Sequence, residues 1–200
     1  TTGLSRSDFH IDISVDRENR ILRISDNGIG MTEDELENNL GVIARSDSQL
    51  FKTENADSKD IDIIGQFGVG FYAAFMVSSK VRVVSKAYGS DEADCWESEG
   101  ADGFTVSPCE KESHGTEITL YLKEDTDEVK YSQYLEPYTL SALVKKYSNY
   151  IRYPIKMMIP ESRPVEGKEG EYETVETDTV LNSMLPLWKK NKNEITKEEY

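Results

Sequence analysis

Two glycine-bearing motifs hold most of the chemistry this chain can do: Asp26-Asn27-Gly28-Ile29-Gly30-Met31 and Gly65-Gln66-Phe67-Gly68-Val69-Gly70-Phe71. The first sets a carboxylate at the end of an apolar run. A carboxylate there accepts a hydrogen bond from an exocyclic amino group, such as the one adenine carries beside a ring-nitrogen acceptor. The second sets closely spaced backbone amides where an apolar helix opens, a place suited to phosphate. Met31 offers a polarizable apolar surface for a ring face. Thr116 offers a hydroxyl to the ring nitrogen, directly or through water. A buried carboxylate without a partner is costly, so Asp26 calls for a dedicated one. The pattern predicts a nucleotide site. Its G-x-x-G-x-G spacing reverses the Rossmann order, and no G-K-[ST] follows, so it is not a P-loop.

These residues need elements to hold them. Phe9, Ile11, Ile13 and Val15 alternate with polar residues, which predicts a half-buried strand. A turn at Arg17-Glu18-Asn19 leads to a second strand over 20–25, with Leu22, Ile24 and then Asp26 on one face. Asp-Asn-Gly by itself is also a hairpin signal. The capping-box pair Thr32 and Glu35 argues instead for a helix over 33–39. The polar stretch 41–64, with acids Glu54, Asp57, Asp60 and Asp62, is long for a plain connection and has the length of a lid. A helix is expected over 69–77 and strands over 80–87, 94–98, 104–106 and 117–122, the last with Thr116 on its apolar face. Leu140, Leu143, Val144, Tyr147, Tyr150 and Ile151 have helical spacing and predict a core-packed helix over 140–153. A strand is expected over 155–159. From 161 to 178 seven acids face only Arg163 and Lys168, a linker composition. A new apolar patch begins at Leu185-Pro186-Leu187-Trp188.

The 200 residues carry 23 Lys and Arg against 38 Asp and Glu, a net charge of −15. That surface repels phosphate polymers, which argues against nucleic acid and anionic membranes as partners but not against a small nucleotide in a local pocket. No apolar run reaches the ~20 residues a membrane span needs. Cys95 and Cys109 lack metal-ligand spacing, and with only His10 and His114 beside them a zinc site is not expected. They read as reduced thiols of a cytosolic protein. His10 reads as a strand-surface residue and His114 as a turn residue.

Four stretches (26–31, 38–46, 65–77 and Gly115-Thr116) resemble the ninety-kilodalton heat-shock chaperone family, in its bacterial branch. That family sits in a wider group of ATPases with gyrase B, the mismatch-repair protein MutL and histidine kinases. The phrase running from Gly65 to Tyr72 is specific to the chaperone branch. Trp96-Glu97-Ser98, Tyr153-Pro154-Ile155 and Pro186-Leu187-Trp188 fit as well. The resemblance implies a two-layer α/β sandwich of the Bergerat type, with a mixed, mostly antiparallel sheet under helices and ATP or ADP held beside a mobile lid. It implies that Asp26 receives the adenine amino group, that Thr116 supports it through water, and that Met31 lines the base beside Gly30. Asn39, Leu40 and Arg45 match residues around the ribose and phosphates. The amides of Gly68, Val69, Gly70 and Phe71 match the phosphate contacts. It further implies an ATP-binding domain over 1–160 with its lid at about 41–64, an acidic interdomain linker over 161–182, and the start of a middle domain over 183–200. For the full-length protein it implies a cytoplasmic homodimer that couples ATP binding and hydrolysis to lid closure, clamping and folding of client proteins, with co-chaperones as further partners.

One departure bears on activity. The family's first nucleotide motif, E-x-x-x-N-x-x-D-A, supplies the general base and an Asn for magnesium, and nothing before Asp26 matches it. The middle-domain Arg that meets the γ-phosphate is also expected beyond Tyr200. The expectation is therefore a piece of a longer protein, truncated at its N-terminus, with no catalytic residue and no metal ligand of its own. Nucleotide binding should be weak or absent and turnover nil. Two rival readings are a histidine kinase on the same scaffold, which needs a phospho-acceptor histidine, and a nucleotide-free protein-interaction module.

Overall fold

The computed structural model describes residues 5–44, 70–100, 103–165 and 170–184. Eight strands form one sheet: β1 (Ile11–Asp16), β2 (Ile21–Asp26), β3 (Ser78–Lys86), β4 (Ala93–Gly100), β5 (Gly103–Cys109), β6 (Gly115–Leu122), β7 (Ile155–Pro164) and β8 (Tyr172–Val180). Their spatial order is β5-β4-β3-β6-β2-β1-β7-β8. Only β1 and β7 run parallel; every other pair is antiparallel. The helices are α1 (Glu33–Ala44), the short α2 (Ala74–Val77) and α3 (Pro137–Tyr147). The architecture is a two-layer α/β sandwich with a mixed, mostly antiparallel sheet.

Alternation along the strands decides what lies between the layers. Side chains two apart share a face, and the register lines them up in rungs. One rung runs Val15, Leu22, Leu120, Val81 and Ser98; the next runs Ile13, Ile24, Ile118, Val83 and Trp96. Leu36 and Leu40 of α1, Leu140 and Val144 of α3, and Leu135 cover these rungs. Each fully buried Leu here contributes roughly 1.5–3 kcal/mol. Trp96 has no exposed surface and gathers Phe71, Phe75 and Phe104 around its ring at centroid distances of 5.6, 6.4 and 5.9 Å.

Several expected elements change shape. Helix α1 runs to Ala44, so residues 41–44 of the expected lid are helical; the rest of the lid stretch lies outside the described residues. The expected helix over 69–77 is a 3-10 turn, Gly70–Ala73, followed by the single turn of α2. Helix α3 begins at Pro137, whose fixed φ suits a first helical turn, and stops at Tyr147. Tyr147 and Tyr150 are 71% and 38% exposed, so only part of the expected apolar stripe packs inward.

The acidic segment 161–182, expected as an interdomain linker, carries strand: β7 continues to Pro164, and β8 pairs with it from Lys156↔Val180 to Pro164↔Tyr172. Ile155, Met157 and Ile159 turn into the core, while Glu173, Glu176 and Asp178 stand exposed. Edge strands are rich in charge because charge discourages further pairing, and that composition reads as linker. The sheet therefore extends well past 160. The patch at 185–188 and the segment after it lie outside the described residues.

Candidate functional site

At one end of the apolar rungs lies a polar one. Reading across the sheet from β1, register partners are Ile11, Asp26, Thr116, Ser85 and Asp94. The last four share the face that carries Leu22, Leu120, Val83 and Trp96, so they look toward the helical layer. Ser85 has no exposed surface, and Thr116 and Asp94 are buried. Asp26 is half-buried.

Hydrogen bonds join these residues and the loop that follows β2. Ser85 Oγ and Thr116 Oγ1 are 2.9 Å apart, and Ser85 Oγ accepts from the backbone N–H of Met31 at 2.8 Å. Asp26 Oδ1 accepts from the N–H of Gly28 at 2.8 Å, which orients the carboxylate and leaves Oδ2 to face elsewhere. Among the described residues no Lys, Arg or His forms an ion pair with Asp26. Asp94 is pushed above the ordinary carboxylate range by burial, and then by the neighbouring Glu92 carboxylate.

The Asp26–Met31 loop is held on every side. The N–H of Tyr88 donates to Ile29 O at 2.7 Å, and His114 Nδ1 donates to Gly28 O at 2.6 Å. Asn27 donates from Nδ2 to Asp8 O at 2.7 Å and accepts at Oδ1 from the N–H of His10 at 2.8 Å. Two glycines make the approach possible. Gly30 sits at φ +65°, and a Cβ there would overlap the carbonyl of Lys86. Gly115, at φ +112°, lies so close to the chain at Asp26 that a Cβ would overlap its carbonyl oxygen. Any L side chain at either position meets both left-handed strain and backbone. This loop leads into α1, so the hairpin reading of Asp26-Asn27-Gly28 is not what forms.

Of the residues expected at the site, Asp26, Gly30, Met31 and Thr116 are brought together. Met31 packs on the apolar cluster, and Asn39 Nδ2 reaches its sulfur at 3.9 Å. Leu40 is a buried core residue of α1, and Asn39 stands exposed. Gly70 and Phe71 open the 3-10 turn, with the Phe71 ring edge-on to Trp96, one rung in from Asp94. Arg45, Gly68 and Val69 lie outside the described residues. Sequence reasoning missed Ser85 and Asp94. Both follow from register alone, since Ser85 continues the Val81–Val83 face and Asp94 the Trp96 face, but only the pairing puts them on the rung of Asp26. It also missed the hold of His114 on Gly28. Among the described residues no three His, Cys, Asp or Glu side chains converge as metal ligands. Cys95 and Cys109 are free thiols, and no helix there is long and apolar enough to cross a membrane.

A half-buried carboxylate beside a buried hydroxyl, behind a rigid loop, matches the donor–acceptor edge of an aminopurine. Residues 5–117 match the family described as "Histidine kinase-, DNA gyrase B-, and HSP90-like ATPase". The chain is 59% identical to the chaperone protein HtpG of Alkaliphilus metalliredigens, 55% to that of Clostridium botulinum strain 657, and 58% to that of Bacillus velezensis. Each match covers 98% of this chain and 31% of the relative, so the chain spans about a third of their length. With more than half its residues in one family model, and identity of this order to the relatives, the chain belongs to the histidine kinase-, DNA gyrase B- and HSP90-like ATPases, on their HtpG side.

Proposed function

We propose that this chain carries the ATP- and ADP-binding pocket of a molecular chaperone. Asp26 accepts from the exocyclic amino group of adenine, Thr116 serves the neighbouring ring nitrogen directly or through water, and Met31 and Gly30 line the base. The single observation that carries this reading is the Asp26–Thr116 register pair, placed behind a loop pinned to Ser85 of β3 and to His114 just ahead of β6. Asn39, Leu40 and Arg45 are assigned to the ribose and phosphate side, and the amides of Gly68, Val69, Gly70 and Phe71 to the phosphates. In the whole protein the nucleotide state would drive lid closure over about 41–64, homodimer clamping and remodelling of client proteins in the cytoplasm, in concert with co-chaperones. The strands up to 180 belong to the nucleotide-binding unit in this reading, and a middle domain follows from about 183.

Binding and turnover separate here. Hydrolysis needs a base within hydrogen-bond reach of the attacking water, and no residue of this chain has a motif-based claim to that role. Magnesium at such a site is held largely by the nucleotide's own phosphates, and no step is assigned to it. The chain should bind ADP weakly and saturably, and release no phosphate from ATP above background. A histidine-kinase reading has less support: His10 Nε2 is 2.9 Å from Asp12, and His114 is committed to the Gly28 carbonyl.

The test is titration of the chain with ADP at millimolar concentration, followed by NMR shifts, for the wild type and Asp26→Asn. Loss of one charge-assisted hydrogen bond should weaken binding about tenfold or more. Binding that ignores Asp26→Asn would overturn the pocket. Phosphate release abolished by that variant would overturn the absence of a base.

A further inference from the structure

The polar rung contains a hydrogen-bond chain. It begins at the N–H of Met31, which can only donate, and its acceptor is Ser85 Oγ at 2.8 Å. Ser85 then has one proton to give and two acceptors in view: Thr116 Oγ1 at 2.9 Å and Gly115 O at 3.3 Å. Hydroxyl donors prefer 2.5–3.0 Å and weaken beyond it. The Thr116 contact is the shorter of the two, and either hydroxyl can be its donor. Where Ser85 is the donor of that pair, the Thr116 proton is left for a group on the side of Asp26, its next register partner.

We propose that Ser85 is a positioning residue for base selection: by donating to Thr116 it makes the Thr116 hydroxyl a donor toward the pocket. The inference rests on the nucleotide reading of that pocket. The site then offers an acceptor at Asp26 beside a donor at Thr116. Adenine presents the complement, an amino donor next to a ring-nitrogen acceptor. Guanine presents the opposite pair, a carbonyl acceptor next to a ring N–H, and would set oxygen against the Asp26 carboxylate. A bridging water keeps the same sense, since it can accept from Thr116 and donate to both the ring nitrogen and Asp26. Polarity of this kind discriminates because a mismatch leaves buried polar groups unpaired.

The experiment compares ADP with 1-deaza-ADP, in which C–H replaces the ring nitrogen beside the amino group. Affinities are measured by NMR titration for the wild-type chain, Ser85→Ala, Ser85→Thr and Asp26→Asn. The wild type should favour ADP by about tenfold, the worth of one buried hydrogen bond. Ser85→Ala should bring that ratio close to one, and Ser85→Thr, which keeps the hydroxyl, should restore it. A purely structural role for Ser85 would weaken both ligands together, and an unchanged ratio in Ser85→Ala would overturn the proposal. If Ser85→Ala does not fold, Ser85→Cys keeps the size with a much weaker donor and must still lower the ratio. A wild-type ratio near one overturns this proposal alone when ADP binding remains sensitive to Asp26→Asn. Absence of saturable ADP binding, or insensitivity to Asp26→Asn, overturns the pocket and this inference with it.

Discussion

Carboxylates in this protein take opposite characters from their surroundings. Asp94 is raised by burial, whereas Asp125 is held down at about 2 by the Ser132 hydroxyl and N–H, at 2.6 and 2.8 Å, with the Arg20 guanidinium at 3.0 Å contributing less. Arg20 is itself locked in a left-handed turn at φ +53° and also donates to Lys123 O at 2.5 Å. Because the folded chain depresses the pKa of Asp125, its ionised form stabilises the fold. That stabilisation is complete above the ordinary value of 3.8 and is lost as pH falls through about 2. Asp125→Asn should therefore lower Tm at neutral pH, and the two Tm-against-pH curves should converge as pH drops below about 4. Curves that stay parallel through that window would show that the Ser132 and Arg20 contacts do not favour the ionised form.

Among the elements, α1 depends most on its start. The N–H of Thr32 donates to Glu35 Oε2 at 2.8 Å, and Glu35 N–H returns to Thr32 Oγ1 at 3.4 Å. Glu33, Asp34 and Glu35 add negative charge at the positive end of the helix dipole. The cap matters beyond the helix, since Thr32 adjoins Met31, whose N–H anchors the loop to Ser85. Thr32→Ala should cost about 1 kcal/mol in urea unfolding, with most of it recovered by Thr32→Ser. This start was legible in the sequence because a capping box is local. The end of α1 was not: no glycine or proline marks it, and the helix continues as it packs Leu40 into the core.

For the whole molecule, the decisive join is between the strands at one side and the chain that leaves them. Asn182 is buried; its Oδ1 accepts from the N–H of Ile155 at 2.8 Å, and its Nδ2 donates to Ile151 O and Tyr153 O at 2.9 Å each. Leu181 N–H adds a bond to Ile155 O at 2.7 Å, and Asn149 holds Ser183 and Met184. One amide thus ties the segment between α3 and β7, the start of β7 and the chain leaving β8 together. Asn182→Ala strands three backbone groups, each at about 1–3 kcal/mol. A loss of roughly 3 kcal/mol or more is expected in equilibrium unfolding. A loss under about 1 kcal/mol would show that water replaces the amide there.

Sequence alone determined what is local or periodic: the inward stripe from Leu22 to Asp26 and the cap at Thr32. Period-two alternation and cap chemistry act over a few residues, so they can be read without partners. Tertiary structure decided what depends on which strands meet. Ser85 and Asp94 join Asp26 only because β6 lies between β2 and β3, and β3 beside β4. Glu173, Glu176 and Asp178 belong to a strand only because β7 offers its edge. Pairing across the sheet is non-local, and no composition of a single segment carries it.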